Sequence, residues 1–334
     1  MSDTTRPVLF LDTTGQGFSR NLAALRDGLL SAHQGLAMRY FFADLESASA
    51  TAEVDLSETR TLLAQVSSEA GWVITASESK HSRGGGAPKD QRRVHLLSPR
   101  LTLAEADGRA GKPMNDYTDV VVPGSAFVPH AQKRFPHAQV HAVGLPVFAE
   151  LASDTLREQA RHQLATLCPA STGKRIVVLT TQRAPENVFG ATTVRALAAT
   201  LPEDAFLVLD IPGMLPALES EPASLADRVF VNDGALRLFS LLALADILLT
   251  SKFRDAVYFA VTGRNLFLLN TEANVETLGG KLPVDYEPLG IVDVSALPDA
   301  LSAAYDEAAR LHFQSAYAVL DPETSVTRVV DALF

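Results

Sequence analysis

Twice along this chain, short apolar runs of five or six residues alternate with amphipathic segments of ten or more. The first series places strands near residues 7–12, 36–42, 71–76, 92–97, 119–122 and 137–143, with helices near 22–32, 57–67 and 127–135. A polar amphipathic helix over 149–167 then leads to Pro169-Ala-Ser-Thr-Gly173, the most linker-like stretch. The pattern restarts with strands near 175–179, 205–209, 228–231, 246–250, 265–269 and 291–294. Helices are expected over 187–201, 235–245, the segment ending at Gly263, 295–318 and 322–333. Strands that are apolar throughout and alternate with helices are buried on both faces, as in parallel sheets. The expectation is an α/β chain of two Rossmann-like parallel-sheet domains facing a cleft. Residues 1–150 form the first, the acceptor side, and 151–321 the second, the nucleotide-donor side. The last helix, in 322–334, packs back on the first.

The 334 residues suffice for two such cores. A net charge of −10 argues against nonspecific phosphate contacts to nucleic acid, though a pocket can be locally basic in an acidic protein. Cys168 is the only cysteine, so no intrachain disulfide or cysteine-cluster metal site forms, and a small buried hydrophobe is its simplest role. No run reaches the about 18 apolar residues of a membrane span, and the opening residues lack a basic-then-apolar pattern, so neither a span nor a signal is expected. A cytoplasmic location, with at most peripheral contact at the inner membrane face, is expected.

Leu244-Ala-Asp-Ile-Leu-Leu-Thr-Ser-Lys-Phe-Arg-Asp-Ala-Val-Tyr-Phe-Ala-Val-Thr-Gly263 reads as strand, tight turn and helix, closed by a glycine. Ligands of open parallel sheets bind at strand carboxyl ends, where helix N-termini point their N–H groups. Ser251, Lys252 and Arg254 stand at that junction and make a candidate anion site. Solvated first-turn residues explain the same pattern as well. Cations also oppose the dipole of a helix N-terminus, so something must offset them. In the first strand-to-helix turn, Gly15 and Gly17 allow close backbone approach of a ligand, or simply a tight turn. Ser82-Arg-Gly-Gly-Gly-Ala-Pro88 breaks all periodicity and reads as a mobile loop.

Several segments resemble the CDP-glycerol glycerophosphotransferases, the teichoic-acid primases and polymerases. The opening Val8-Leu-Phe-Leu-Asp-Thr-Thr-Gly-Gln-Gly-Phe-Ser-Arg-Asn-Leu-Ala-Ala-Leu25 is similar to that family's strand and its turn into a first helix. So are Asp119-Val-Val-Val-Pro-Gly-Ser-Ala-Phe-Val128, Val143-Gly-Leu-Pro146, Lys174-Arg-Ile-Val-Val-Leu-Thr-Thr-Gln-Arg183, Ala245-Asp-Ile-Leu-Leu-Thr250 and residues 285–297. The order is kept over nearly the whole chain. The resemblance implies a GT-B fold, CDP-glycerol as donor substrate with no separate cofactor, and transfer of glycerol phosphate to a membrane-linked polymer. It also implies an acceptor side around Gly15, Gly17, Ser19 and Asn21.

The departures fall where the chemistry belongs. The family's two histidine positions are Ser98 and Ile211, its Asp-Tyr-Ser-Ser turn is Ser251-Lys-Phe-Arg254, and its Arg and Asp after the Gly-x-Pro are Val147 and Ala149. Neither serine nor isoleucine accepts a proton near neutral pH. Ser98 and Ile211 are expected to border the cleft. His95 is the alternative base, although its offset of three residues along a strand turns it to the other face. His81, in the glycine loop, could swing toward a ligand, whereas His130, His137 and His141 lack a carboxylate or metal-ligand spacing. No zinc or P-loop pattern is present. Arg183, beside Thr181 at a strand end, is placed to fork onto phosphate oxygens; a turn with a surface ion pair is the plainer explanation. Glu272 could accept from a ribose, or cap a helix.

These residues point to a nucleotide-activated donor bound by Thr181, Arg183, Ser251, Lys252 and Arg254, with no catalytic base assigned beyond His95 and Ser98. The expected function is a divergent glycerophosphotransferase or glycosyltransferase acting on a cell-surface polymer. A catalytically silent binding scaffold and an enzyme of the nucleotide-sugar 2-epimerase type are the alternatives.

Overall fold

A computed structural model describes residues 6–12, 19–42, 57–76, 89–99, 113–181, 198–199, 201–211, 227–270, 284–291, 296–302 and 305–334. The chain divides into two compact units. One comprises Met1–Ser98, Ala106–Glu150 and Asp321–Phe334, and the other Pro99–Glu105 and Leu151–Leu320.

The described residues of the first unit hold a six-stranded parallel sheet of order β2-β1-β3-β4-β5-β6. Its strands are β1 (Val8–Asp12), β2 (Met38–Phe42), β3 (Trp72–Thr75), β4 (Arg92–Leu96), β5 (Asp119–Val121) and β6 (Gln139–His141). Leu9 and Leu11 of β1 turn one way, against Leu63 of helix α2 (Ser57–Glu69), in a cluster with Phe41 and Val73. Helix α1 (Arg20–Ala32) buries Leu22, Leu25 and Leu29, as its 3.6-residue period requires.

The last helix, α10 (Ser325–Leu333), packs on α1. A Cβ on Gly28 would lie 2.2 Å from a methyl of Val326, so only glycine permits this approach. Phe334 stacks on Trp72 at 4.1 Å, and the Arg92 guanidinium lies 4.3 Å from the Trp72 ring centre while donating to the Leu333 carbonyl.

The second unit holds the sheet β12-β11-β10-β7-β8-β9, also parallel. These strands are β7 (Arg175–Thr180), β8 (Ala205–Asp210), β9 (Val229–Val231), β10 (Ile247–Thr250), β11 (Asn265–Leu269) and β12 (Gly290–Ile291). Alternate residues of its central strands, among them Val177, Leu179, Leu207, Leu209, Leu249 and Phe267, form one apolar cluster.

Three expectations are corrected. The single helix over 149–167 is two, α4 (Val147–Ala152) and α5 (Asp154–Leu167). Ser153 adopts extended backbone between them, and its hydroxyl accepts from the N–H of Leu156, so a cap outweighs continuity. The stretch at 169–173 is not a boundary. It is a 3-10 turn inside the second unit, because α5 is tied there by Arg157 and Arg161 to Asp246. The helix over 295–318 is likewise two, α8 (Leu297–Ser302) and α9 (Glu307–Tyr317), with the Asp306 carboxylate capping the second.

Candidate functional site

The carboxyl edge of the second sheet is polar across three neighbouring strands. Asp210, Thr180 and Thr250 are the last residues of β8, β7 and β10, and they stand in register, Asp210 beside Thr180 and Thr180 beside Thr250. The two threonine hydroxyls are 2.7 Å apart. One turn further, the Ser251 hydroxyl donates to Thr181 Oγ1 at 3.0 Å. The Lys252 N–H donates to Thr250 Oγ1 at 2.9 Å, which fixes the turn into helix α7 (Phe253–Ala260).

The offset that cations at this helix end require is Asp255. It lies in the first turn of α7, where a carboxylate suits the dipole, and is fully buried. Arg254 Nε donates to it at 3.1 Å, Thr180 Oγ1 at 3.3 Å, and Lys252 Nζ lies 3.9 Å away. Burial pushes its carboxyl above the ordinary range, opposed by Arg254, Lys252 and Thr180. Lys252 Nζ also lies 3.4 Å from Asp210, whose other oxygen accepts from Asn232 at 2.9 Å.

Of the residues read from the sequence as donor-binding, Thr181, Ser251, Lys252 and Arg254 do meet here, from strand ends 70 residues apart. Two of them need correction. Thr181 and Ser251 are completely buried and spend hydroxyls on each other, so they hold the turn and do not face solvent. Lys252 and Arg254 remain partly exposed, and both are ion-paired within the unit. Arg183 and Glu272 lie outside the described residues, as do Gly15, Gly17, His81, the triple glycine and most of the helix expected over 187–201.

In the first unit, Ser19 caps α1 by accepting from the Leu22 N–H, and Asn21 Oδ1 accepts from the Val147 N–H at 3.1 Å. An Arg20–Glu150 ion pair runs alongside. The family-like opening turn is thus joined, at Asn21, to Val147, the residue just past the family-like Val143–Pro146. Ser98 is half-buried just past β4. His95 is 1% exposed and packs 5.3 Å from both the Tyr117 and Phe135 rings, a core position withdrawn from any substrate proton. Ile211, expected to border the cleft, is buried in the second unit's apolar cluster. His130 is buried too, whereas His141 contradicts its expected lack of a carboxylate: its Nε2 lies 3.0 Å from Asp119.

Sequence reading missed Asp210, Asn232 and Asp255. Only Asp255 left a signal, an acid three residues after the helix cap.

No protein-family model matches the chain, and no curated protein matches it in sequence. Solved structures do match it in fold. A structure of the wall teichoic acid polymerase TagF aligns with 99% of this chain and 90% of its own, at TM-score 0.69 and 12% identity. A UDP complex of Staphylococcus aureus MnaA aligns with 98% of this chain and 96% of its own, at 0.56 and 14%. A putative UDP-N-acetylglucosamine 2-epimerase from Listeria monocytogenes covers 98% and 95%, at 0.59 and 14%. Identities this low establish architecture alone. The chain has a GT-B-like α/β fold built on two parallel six-stranded sheets, and the resemblance read in its sequence is matched by a resemblance in fold to TagF.

Proposed function

We propose that the protein binds the phosphates of a nucleotide-activated donor at the carboxyl edge of its second sheet and transfers a group from that donor to a cell-surface polymer. The observation that carries this is the convergence of Lys252 and Arg254 at one helix N-terminus, on a turn pinned by buried hydroxyl pairs. Such a turn holds two cationic donors in place before the ligand arrives, which lowers the ordering cost of binding. Arg183, three residues past Thr180 at the end of β7, adds a third cation in this reading, and Glu272 serves the ribose. The turn before α1, with Gly15, Gly17, Ser19 and Asn21, carries the acceptor side. CDP-glycerol is the donor that the sequence resemblance names, and a TagF structure was soaked with CDPG. A membrane-linked acceptor would bring the protein to the inner membrane face; among the described residues no helix is long and apolar enough to cross a membrane.

A second reading, binding without turnover, is favoured by Ile211 in the core and Ser98 in place of imidazoles, with His95 buried. An epimerase-type reaction is the third, supported by the fold of the Listeria protein. A thermal-shift screen with CDP-glycerol, UDP-N-acetylglucosamine and a GDP-sugar separates them. A ligand at a hundred times its Kd stabilises by about 2.7 kcal/mol, enough to see. Stabilisation with nucleotide release supports the transferase, epimerised sugar the third reading, and stabilisation without turnover the second. No shift with any of them, from the wild type or from an Asp210→Asn variant, would sink the nucleotide site.

A further inference from the structure

The carboxyl-edge site is electrically closed on itself. Among the described residues, Lys252 and Arg254 face Asp210 and Asp255, two charges of each sign. The two carboxylates are not equivalent. Asp255 is fully buried and is held by Arg254 and Thr180. Asp210 keeps 28% of its side chain exposed. Asn232, itself buried, fixes it: Nδ2 donates to one Asp210 oxygen at 2.9 Å, while the amide is pinned to both backbone groups of Leu236. The other Asp210 oxygen faces Lys252 Nζ at 3.4 Å. Lys252 thus lies between carboxylates at 3.4 and 3.9 Å, both longer than the roughly 2.7–2.9 Å of a close charge-assisted hydrogen bond. It is held loosely, by partners of which only Asp210 reaches solvent.

Resting on the phosphate-site reading above, we propose that Asp210 is a built-in competitor for the ligand. It occupies Lys252 when the site is empty, and an incoming diphosphate takes its place. Asp210 therefore sets how tightly the site holds an anion, and it selects ligands able to outbid a carboxylate for the ammonium. A monoanion gains little from the exchange. A diphosphate brings more charge and more acceptor oxygens to the same ammonium, with Arg254 beside it.

The test is calorimetric titration of the full chain with CDP and with UDP, using wild type, Asp210→Asn, Lys252→Gln and the double variant. Thermal unfolding checks that each is folded. Asp210→Asn keeps an acceptor for Asn232 and removes one like charge next to the ligand. Affinity should rise about ten-fold, since near a protein surface a charge at such distances is worth at least one decade. In the Lys252→Gln background the gain should shrink to the part that lost repulsion alone supplies, because the competition acts through that ammonium. Unchanged or weaker binding by Asp210→Asn overturns the proposal, and so does an equal gain without Lys252. Should Asp210→Asn fail to fold, Asp210→Ser carries the same expectation.

The two readings fail differently. If wild type binds neither nucleotide but Asp210→Asn binds one, the competitor holds and explains the silence. If neither binds, the phosphate site falls and the competitor with it. If wild type binds and Asp210→Asn binds no better, only the competitor falls.

Discussion

At its amino edge, each of the two sheets fixes a carboxylate with arginine. In the first, Asp119 opens β5 and accepts from Arg92 at 2.6 and 3.1 Å, from Thr118 at 2.7 Å, and lies 3.0 Å from His141. In the second, Asp246 precedes β10 and accepts from Arg157, Arg161 and the Ile176 N–H, at 2.6, 2.5 and 2.7 Å. The carboxyl edges differ. Ser19 and Asn21 of the first unit are engaged in capping and tethering the chain. The second unit gathers hydroxyls, two cations and two carboxylates around a single turn. In this molecule the polar residues at the amino edges hold the fold, while among the described residues the second sheet's carboxyl edge is the one that gathers two cations beside a helix N-terminus.

The largest effect should come from breaking an amino-edge lock. Asp246→Ala leaves two guanidinium groups and a backbone N–H without their acceptor. Stability should fall by about 2–4 kcal/mol, somewhat under the full cost of unpairing a buried charge because the arginine heads are partly exposed. Urea unfolding measures this. If the edges divide their roles as described, nucleotide affinity of the folded fraction stays unchanged.

Arg254→Ala tests the other edge. Losing one charge-assisted contact to phosphate should weaken nucleotide binding by about ten- to a hundred-fold. It should cost stability as well, because Arg254 pairs with fully buried Asp255 and its loss leaves that carboxylate under-compensated. Adding Asp255→Asn should recover stability but not affinity. Recovery of both would make Arg254 purely structural. Arg183→Ala should show the affinity loss alone.

A smaller contrast is in pH dependence. Burial works against the charge of Asp119, but hydrogen bonds from His141, Arg92 and Thr118 prevail and hold its carboxyl below the ordinary range. Its contribution is present above the unfolded value, about 3.9, and is lost as pH falls through the lower folded value. Asp255 has the opposite sign. With its carboxyl raised by burial, its favourable contribution is complete below the unfolded value and declines as pH rises through the raised one. Asp119→Asn should therefore flatten the acid side of a stability profile, and Asp255→Asn the side just above it. Like changes from both substitutions would contradict the contrast.

The smallest expected effect is at Ser19. Ser19→Ala removes a helix cap and should cost about 1 kcal/mol in thermal unfolding. A large drop in activity from this change, with the cap loss alone in stability, would support the acceptor side proposed at the first unit's carboxyl edge.

The alternation of apolar runs and amphipathic segments determined the parallel α/β architecture, because burial on both faces of a strand and on one face of a helix is written in local periodicity. The junction at 250–254 and the stop at Gly263, which adopts φ +69, were equally local. What the alternation could not supply was the order of strands. β7 lies between β10, 70 residues later, and β8, so Asp210, Thr180 and Thr250 meet only through that order and register. Packing around the second sheet placed Ile211 in its core, and packing in the first unit placed His95 among aromatic rings. Strand pairing also gave Lys252 the distant partner Asp210, which no spacing along the chain announces, whereas Asp255, beside Arg254, is a neighbour in sequence. Periodicity records which face of an element is buried; which charge stands opposite another is fixed only when distant strands pair, and here that pairing made the candidate site.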